Sequence, residues 1–151
     1  MTEIGKVRAP EIGAYMDTRP FWEGAAEGRL VLQVCRDTGR FQHPPRPVSA
    51  YTGSRNLGWR EASGHGVLRA WTVLRVPAPG FEARVPYVVG VVDLVEGVRM
   101  LAEVIGRAEG ELRVGMPLRV GWTRVDGDLV FPAFSPDRAH ASGGAGVTGS
   151  A

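Results

Sequence analysis

Apolar residues change their spacing along this chain of 151 residues near residue 28. Before that point, segments 11–16 and 19–27 carry the spacing of short helices. Pro20 sits at a helix start, where its missing N–H is tolerated, and Gly28 at the end of the same segment. Phe21 and Trp22 are expected to pin that second segment onto the body. From Arg29 onward the apolar runs are short and punctuated by glycine, proline and Asp-Gly, which is how a β-rich chain reads.

The first run, 30–34, leads through Cys35 to Phe41 as strand, tight turn and strand. The proline-rich stretch 43–47 cannot continue a ladder and is expected to cross as an extended connector to a second turn at 49–53. Five more runs follow, at 59–76 (with a bulge near Gly64 and Gly66), 87–95, 98–105, 118–125 and 128–134. Glu96-Gly97 and Asp126-Gly127 supply hairpin turns in which glycine takes the positive φ, so the second and third of these runs should pair antiparallel, as should the fourth and fifth. Segment 77–86 is too rich in proline for a strand and carries Phe81. Segment 106–117 reads as a turn or loop. Within the first run, alternation places Arg69, Trp71, Val73 and Arg75 on one face and Leu68, Ala70, Thr72 and Leu74 on the other.

The expected fold class is mainly β. It comprises short N-terminal helices in 1–28, a hairpin unit in 29–56, a five-stranded barrel in 57–136, and a disordered tail in 137–151, whose small polar residues bury too little apolar surface to offset ordering entropy. With 44% hydrophobic and 23% charged residues the composition is that of an ordinary globular protein. A single cysteine excludes an intrachain disulfide framework, and the first fifteen residues lack an apolar leader, so a cytoplasmic location is expected. No run reaches the roughly 18 apolar residues of a membrane span. Net charge is only +2, although arginine supplies every basic side chain except Lys6. Guanidinium groups suit bidentate contact with phosphate or carboxylate, so their positions decide their use.

Catalytic chemistry needs a nucleophile with a base, paired carboxylates or a metal centre, and none stands out. Cys35 lies near Arg36 and Arg40, which would favour a thiolate, but no base accompanies it. His65 sits in a Gly-His-Gly turn, His140 lies in the tail, and His43 beside the prolines reads as a surface residue. Carboxylates such as Glu82, Asp93, Glu96 and Glu103 are scattered over strand ends and loops. A nucleic-acid interface needs a sustained cationic track, and the strands after Arg75 do not supply one.

Cys35 and Thr38 are spaced as C-x-x-C, Ser49 and Thr52 repeat that spacing, and ten residues separate the pairs. The frame is set between FWEG-x-x-x-G-x-L-x-L-Q-x-C at 21–35 and FQHPPRPV at 41–48, with PGFEARVPYVVGVVDL at 79–94. Together these resemble a bacterial and archaeal family of OB-fold proteins that carry an N-terminal rubredoxin-like zinc ribbon. The resemblance runs from about residue 19 to 136. It implies a cytoplasmic, non-catalytic accessory subunit that docks on a thiolase-like or aldolase-like enzyme, in lipid or steroid metabolism, and helps to bind or position an acyl-CoA. The runner-up readings are a single-stranded nucleic-acid-binding OB module and a free-standing acyl-CoA binder.

Where the family carries four cysteines, this chain has Cys35, Thr38, Ser49 and Thr52. Hydroxyl groups bind zinc poorly near neutral pH, so no zinc is expected and the ribbon should be held by Leu30, Leu32, Val34, Phe41, Val48 and Tyr51, or by a partner. For a CoA thioester, Arg69, Arg75, Arg84 and Arg99 are the candidate phosphate contacts. Trp71, Phe81, Tyr87, Phe131 and Phe134 are the candidates for the apolar channel or the partner-facing surface.

Overall fold

The computed structural model describes residues 18–79, 81–125 and 129–139. The expected helix at 11–16, the Asp126-Gly127 turn, His140 and the tail beyond residue 139 lie outside them. The first element is α1 (Arg19–Ala26), with proline in its opening positions, and Gly28 leaves it at φ 73°. Three strands follow, β1 (Val31–Cys35), β2 (Phe41–Gln42) and β3 (Leu57–Glu61), forming an antiparallel sheet in the order β2-β1-β3.

Every residue of β1 is buried, including Gln33. Buried amides need partners, and here they hold the connector that no ladder could hold. Gln42 Nε2 donates to Gln33 Oε1 at 2.6 Å and to the Val48 carbonyl at 3.2 Å. The Gln33 amide exchanges hydrogen bonds with the Arg46 backbone at 2.8 and 3.0 Å, and Gln42 Oε1 accepts from Ala50 N. The prolines thus run along the sheet, with a cis bond at His43-Pro44.

The run expected as one strand over 59–76 is two. β3 completes the ribbon sheet, with Trp59 opposite Gln33, and the chain then crosses at 62–64 into the barrel strand β4 (His65–Leu74). Ala62 N donates to the Leu30 carbonyl on the ribbon side and Val120 N to the Gly64 carbonyl on the barrel side. By sheet pairing, Leu57–Glu61 thus lies with the ribbon, although it falls in the segment expected for the barrel.

β4 joins β5 (Tyr87–Leu94), β6 (Arg99–Val104), β7 (Pro117–Val125) and β8 (Leu129–Pro136) in a closed barrel of order β4-β5-β6-β8-β7, in which β7 returns to β4. The β6–β8 pair is parallel and the others antiparallel. This closure is that of the OB-fold, as expected. The segment between β6 and β7 holds only a 3-10 turn at Glu109–Glu111, and Leu112 and Met116 from this segment cap the barrel. One continuous core runs from Leu30, Leu32 and Phe41 in the ribbon to Leu68, Val92, Met100, Leu118 and Phe134 in the barrel. Among the described residues no helix is long and apolar enough to cross a membrane.

Candidate functional site

The loop between β4 and β5 folds back on the barrel through two tight turns, in which Phe81 N donates to Ala78 O and Arg84 N to Phe81 O, both at 2.9 Å. These turns bring Phe81 and Arg84 over Tyr87 at the start of β5. The Arg84 guanidinium lies 5.8 Å from the Phe81 ring centre and 5.7 Å from that of Tyr87, and it donates to Glu103 Oε2 on β6 at 2.6 Å. With both side chains mostly buried, at 30% and 21% exposure, this ion pair fixes the floor of an open groove of about 230 Å³. Phe131 and Pro132 of β8 form the far wall. Behind them Trp22 of α1 meets Phe131 edge-to-face at 5.3 Å, so the N-terminal helix supports the groove.

Four of the expected contact residues, Phe81, Arg84, Tyr87 and Phe131, therefore meet in one place. Leu101 belongs with them and was not singled out in the sequence. It is 71% exposed, on the outward face of β6 between Arg99 and Glu103. A leucine between two charged residues on an alternating strand was the available signal.

The other five candidates lie elsewhere. Phe134 is 0% exposed inside the barrel, so it is a core residue and faces neither ligand nor partner. The pairing of β4 with β5 shifts between Leu68 and Ala70, which makes Arg69 an extra residue in the strand. After such a bulge alternation inverts. Trp71 consequently packs against the core, opposite Gly90, while Arg69, Ala70 and Thr72 are exposed. The aromatic and basic face expected on this strand does not form.

The cations are also committed to carboxylates. Arg99 donates to both oxygens of Asp93, at 2.6 and 3.3 Å, Arg69 approaches the same group at 3.9 Å, and Arg75 donates to Glu109 at 2.6 Å. Hydrogen bonding from Arg99 is the main cause that holds the Asp93 carboxyl below its ordinary range.

The two turns of the ribbon do face each other. Cys35 Sγ lies 3.9 Å from Thr52 Oγ1, and hydrogen bonds from Ser49 and Thr38 lower its thiol pKa to about 7. The hydroxyl oxygens are already engaged with backbone. Ser49 Oγ accepts from Tyr51 N at 3.1 Å and Thr52 N at 3.2 Å, and Thr38 Oγ1 accepts from Arg40 N at 3.3 Å. One thiol and three occupied hydroxyls do not fit tetrahedral zinc, which takes four thiolate, imidazole or carboxylate ligands. Among the described residues no three His, Cys, Asp or Glu side chains cluster as a metal would need. His43 is not the surface residue expected. It is half-buried near the Phe21 ring, and burial lowers its pKa.

Comparison with known proteins finds the same two units, with the second match beginning inside β3. Residues 22–48 match the family model described as the ChsH2 rubredoxin-like zinc ribbon domain, and 59–123 that of the ChsH2 C-terminal OB-fold domain. The chain is 37% identical over 118 residues to a probable enoyl-CoA hydratase alpha subunit of Thermomonospora curvata, a match covering 77% of this chain and 36% of that protein. It thus spans little more than a third of that relative. Over 110 residues it is 33% identical to a DUF35 domain-containing scaffold protein of Pyrococcus furiosus, covering 72% of this chain and 80% of the relative. A solved structure described as Ltp2-ChsH2(DUF35) aldolase superposes with a TM-score of 0.75 at 35% identity, over 85% of this chain and 98% of that one. The chain belongs to the DUF35 family, in its ChsH2-type form of a rubredoxin-like ribbon followed by an OB-fold barrel.

Proposed function

We propose that this chain is a non-catalytic partner subunit that docks, through the groove of Phe81, Arg84, Tyr87, Leu101 and Phe131, on a thiolase-like or aldolase-like enzyme and helps to position its acyl-CoA. The observation that carries this reading is the match to 98% of a chain in the structure described as an aldolase containing ChsH2(DUF35). The groove supports it independently. Its apolar walls and exposed leucine surround an ion pair already satisfied within the chain, an arrangement that favours burial by another surface over reaction.

Size separates the two roles. At about 230 Å³ the groove is smaller than the roughly 300–1,000 Å³ of pockets that enclose a drug-sized ligand. A whole acyl-CoA does not fit, so the groove takes a side chain of the enzyme or one segment of a thioester lying across the interface. The four candidate arginines, each paired with a carboxylate, are poor receptors for the nucleotide phosphates.

Co-expression with a candidate enzyme and pull-down on a tag tests the docking. Leu101→Asp is expected to weaken the complex by about tenfold or more, as truncation at interface anchors does. The melting temperature of the isolated chain should barely move, because Leu101 is a surface residue. Recovery of the protein alone from its native host, or wild-type affinity in the Leu101 variant, would count against the reading. Titration of a CoA thioester into the free chain and into the complex separates an accessory role, in which only the complex binds, from a free-standing acyl-CoA binder.

A further inference from the structure

In a zinc ribbon the metal is the cross-link between two turns that share little else. The two turns here, at 35–40 and 49–54, are joined by a different group, which neither the spacing of the four former cysteine positions nor the apolar pattern singled out. Asp37 lies between Cys35 and Thr38, and its carboxylate reaches across to the second turn. Oδ2 accepts from Ser54 Oγ, and from Thr52 Oγ1 at 3.3 Å. Oδ1 accepts from Asn56 Nδ2 at 2.6 Å, just beyond that turn. All three donors are 15 to 19 residues away along the chain.

Besides the contacts of Cys35 with Thr52 and Ser49, two more reach across from residues 40 and 41. Arg40 stacks its guanidinium 4.0 Å above the centre of the Tyr51 ring, and the Tyr51 hydroxyl donates to the carbonyl of Phe41. Thr52 has one proton to share between Asp37 and Ser54 Oγ, which lies 3.1 Å away, so the carboxylate holds two full donors and a third that alternates, still a strong hydrogen-bonded arrangement for a surface.

We propose that the Asp37 carboxylate, with Thr52, Ser54 and Asn56, replaces the metal as the tie between the two turns, so that this ribbon folds and keeps its shape without zinc. The substitution is coherent as chemistry. A metal needs four soft or borderline donors converging on one point, whereas a carboxylate needs N–H and O–H donors converging on two oxygens. Threonine at position 52, where the resemblance implies a cysteine, supplies one of those donors. The same contacts, with Ser54 the largest cause, hold the Asp37 carboxyl below its ordinary range.

The test combines metal analysis with amide hydrogen exchange on the full chain. Protein made in zinc-supplemented medium should hold far less than one zinc per chain, and a chelator should leave exchange in β1, β2 and residues 49–56 unchanged. Asp37→Ala should speed exchange in residues 49–56 by about tenfold, the scale of one lost charged hydrogen-bond partner, with barrel strands β5 and β6 unaffected. Asp37→Asn, which keeps an acceptor but loses the charge, should fall between. One zinc per chain, a chelator-sensitive ribbon, unchanged exchange in Asp37→Ala, or acceleration spread equally over the barrel would each overturn the proposal.

A rescue closes the argument. In the Asp37→Ala background, Thr38→Cys, Ser49→Cys and Thr52→Cys together should bind one zinc and restore protection on its addition. Failure of zinc to do so would show that the two turns do not meet as a ribbon's turns do, and would also overturn it.

Discussion

Phe134→Ala is expected to destabilise the chain by about 3–5 kcal/mol, the usual cost of removing a buried phenylalanine ring and leaving its cavity. Phe134 is 0% exposed and lies at the crossing of β8 with β7 and β6, opposite Val120 on one side and Val104 on the other. Single domains are stable by only roughly 5–15 kcal/mol, so the variant should melt on the order of 10 °C lower and express poorly. Phe131→Ala, three residues earlier, serves as the contrast. It loses an edge-to-face contact with Trp22 and should cost about 1 kcal/mol and, if the proposed docking holds, weaken enzyme binding. Thermal unfolding of the two variants side by side checks both. A loss under about 1 kcal/mol for Phe134→Ala would refute its place in the core.

Gly64→Ala is expected to cost about 3 kcal/mol, from two separable sources. Gly64 has φ +76°, a conformation that costs a residue with a side chain roughly 1–2 kcal/mol. In addition, a Cβ there would lie 2.3 Å from Val120 Cγ1 and 3.2 Å from Val120 Cβ, an overlap that adds about 1–3 kcal/mol. Strand β7 cannot simply move away, because Val120 N is bonded to the Gly64 carbonyl at 2.8 Å. Repeating the substitution in a Val120→Ala background should remove the contact with Cγ1, leave the tighter-than-usual 3.2 Å approach to Cβ, and bring the penalty down toward the backbone cost. Equal penalties in both backgrounds, measured by denaturant unfolding, would contradict this packing of the ribbon-to-barrel crossing.

The limits of sequence reading at this crossing are physical. Between Trp59 and Val76 the polar residues Arg60, Glu61, Ser63 and His65 and the glycines at 64 and 66 fit a bulge within one strand as well as a crossing between two, so periodicity alone could not mark where one sheet ends and another begins. That required knowing that β3 pairs with β1 and β4 with β7. The bulge at Arg69 is equally local and equally silent, yet it turned Trp71 from a surface aromatic into a core one. One error came from the three-residue crossing at 62–64 and the other from a single inserted residue, and alternation is sensitive to both.

Of the nine candidate residues, four meet in the groove, and its aromatic ones come from the proline-rich loop and the first residues of β5 and β8, segments the sequence had already set apart. The pairing of arginines was not legible, because it depends on register. Arg99 meets Asp93 only because the two are directly opposite across β5 and β6. Asp37 was hidden in another way. The C-x-x-C spacing drew attention to Cys35 and Thr38, while the residue between them makes the contact across the turns.

Closure of β7 on β4 gives every strand of the barrel a neighbour on both sides. A partner therefore finds only short stretches of edge, such as β4 beyond Val67, on which to add a strand, a mode of recognition that reads backbone and is indifferent to most side chains. It must read the barrel mostly through protruding side chains and loops, which can be exchanged one at a time without disturbing the scaffold beneath. Such a surface can change allegiance from one enzyme to another by a handful of substitutions, while the fold carrying it stays the same.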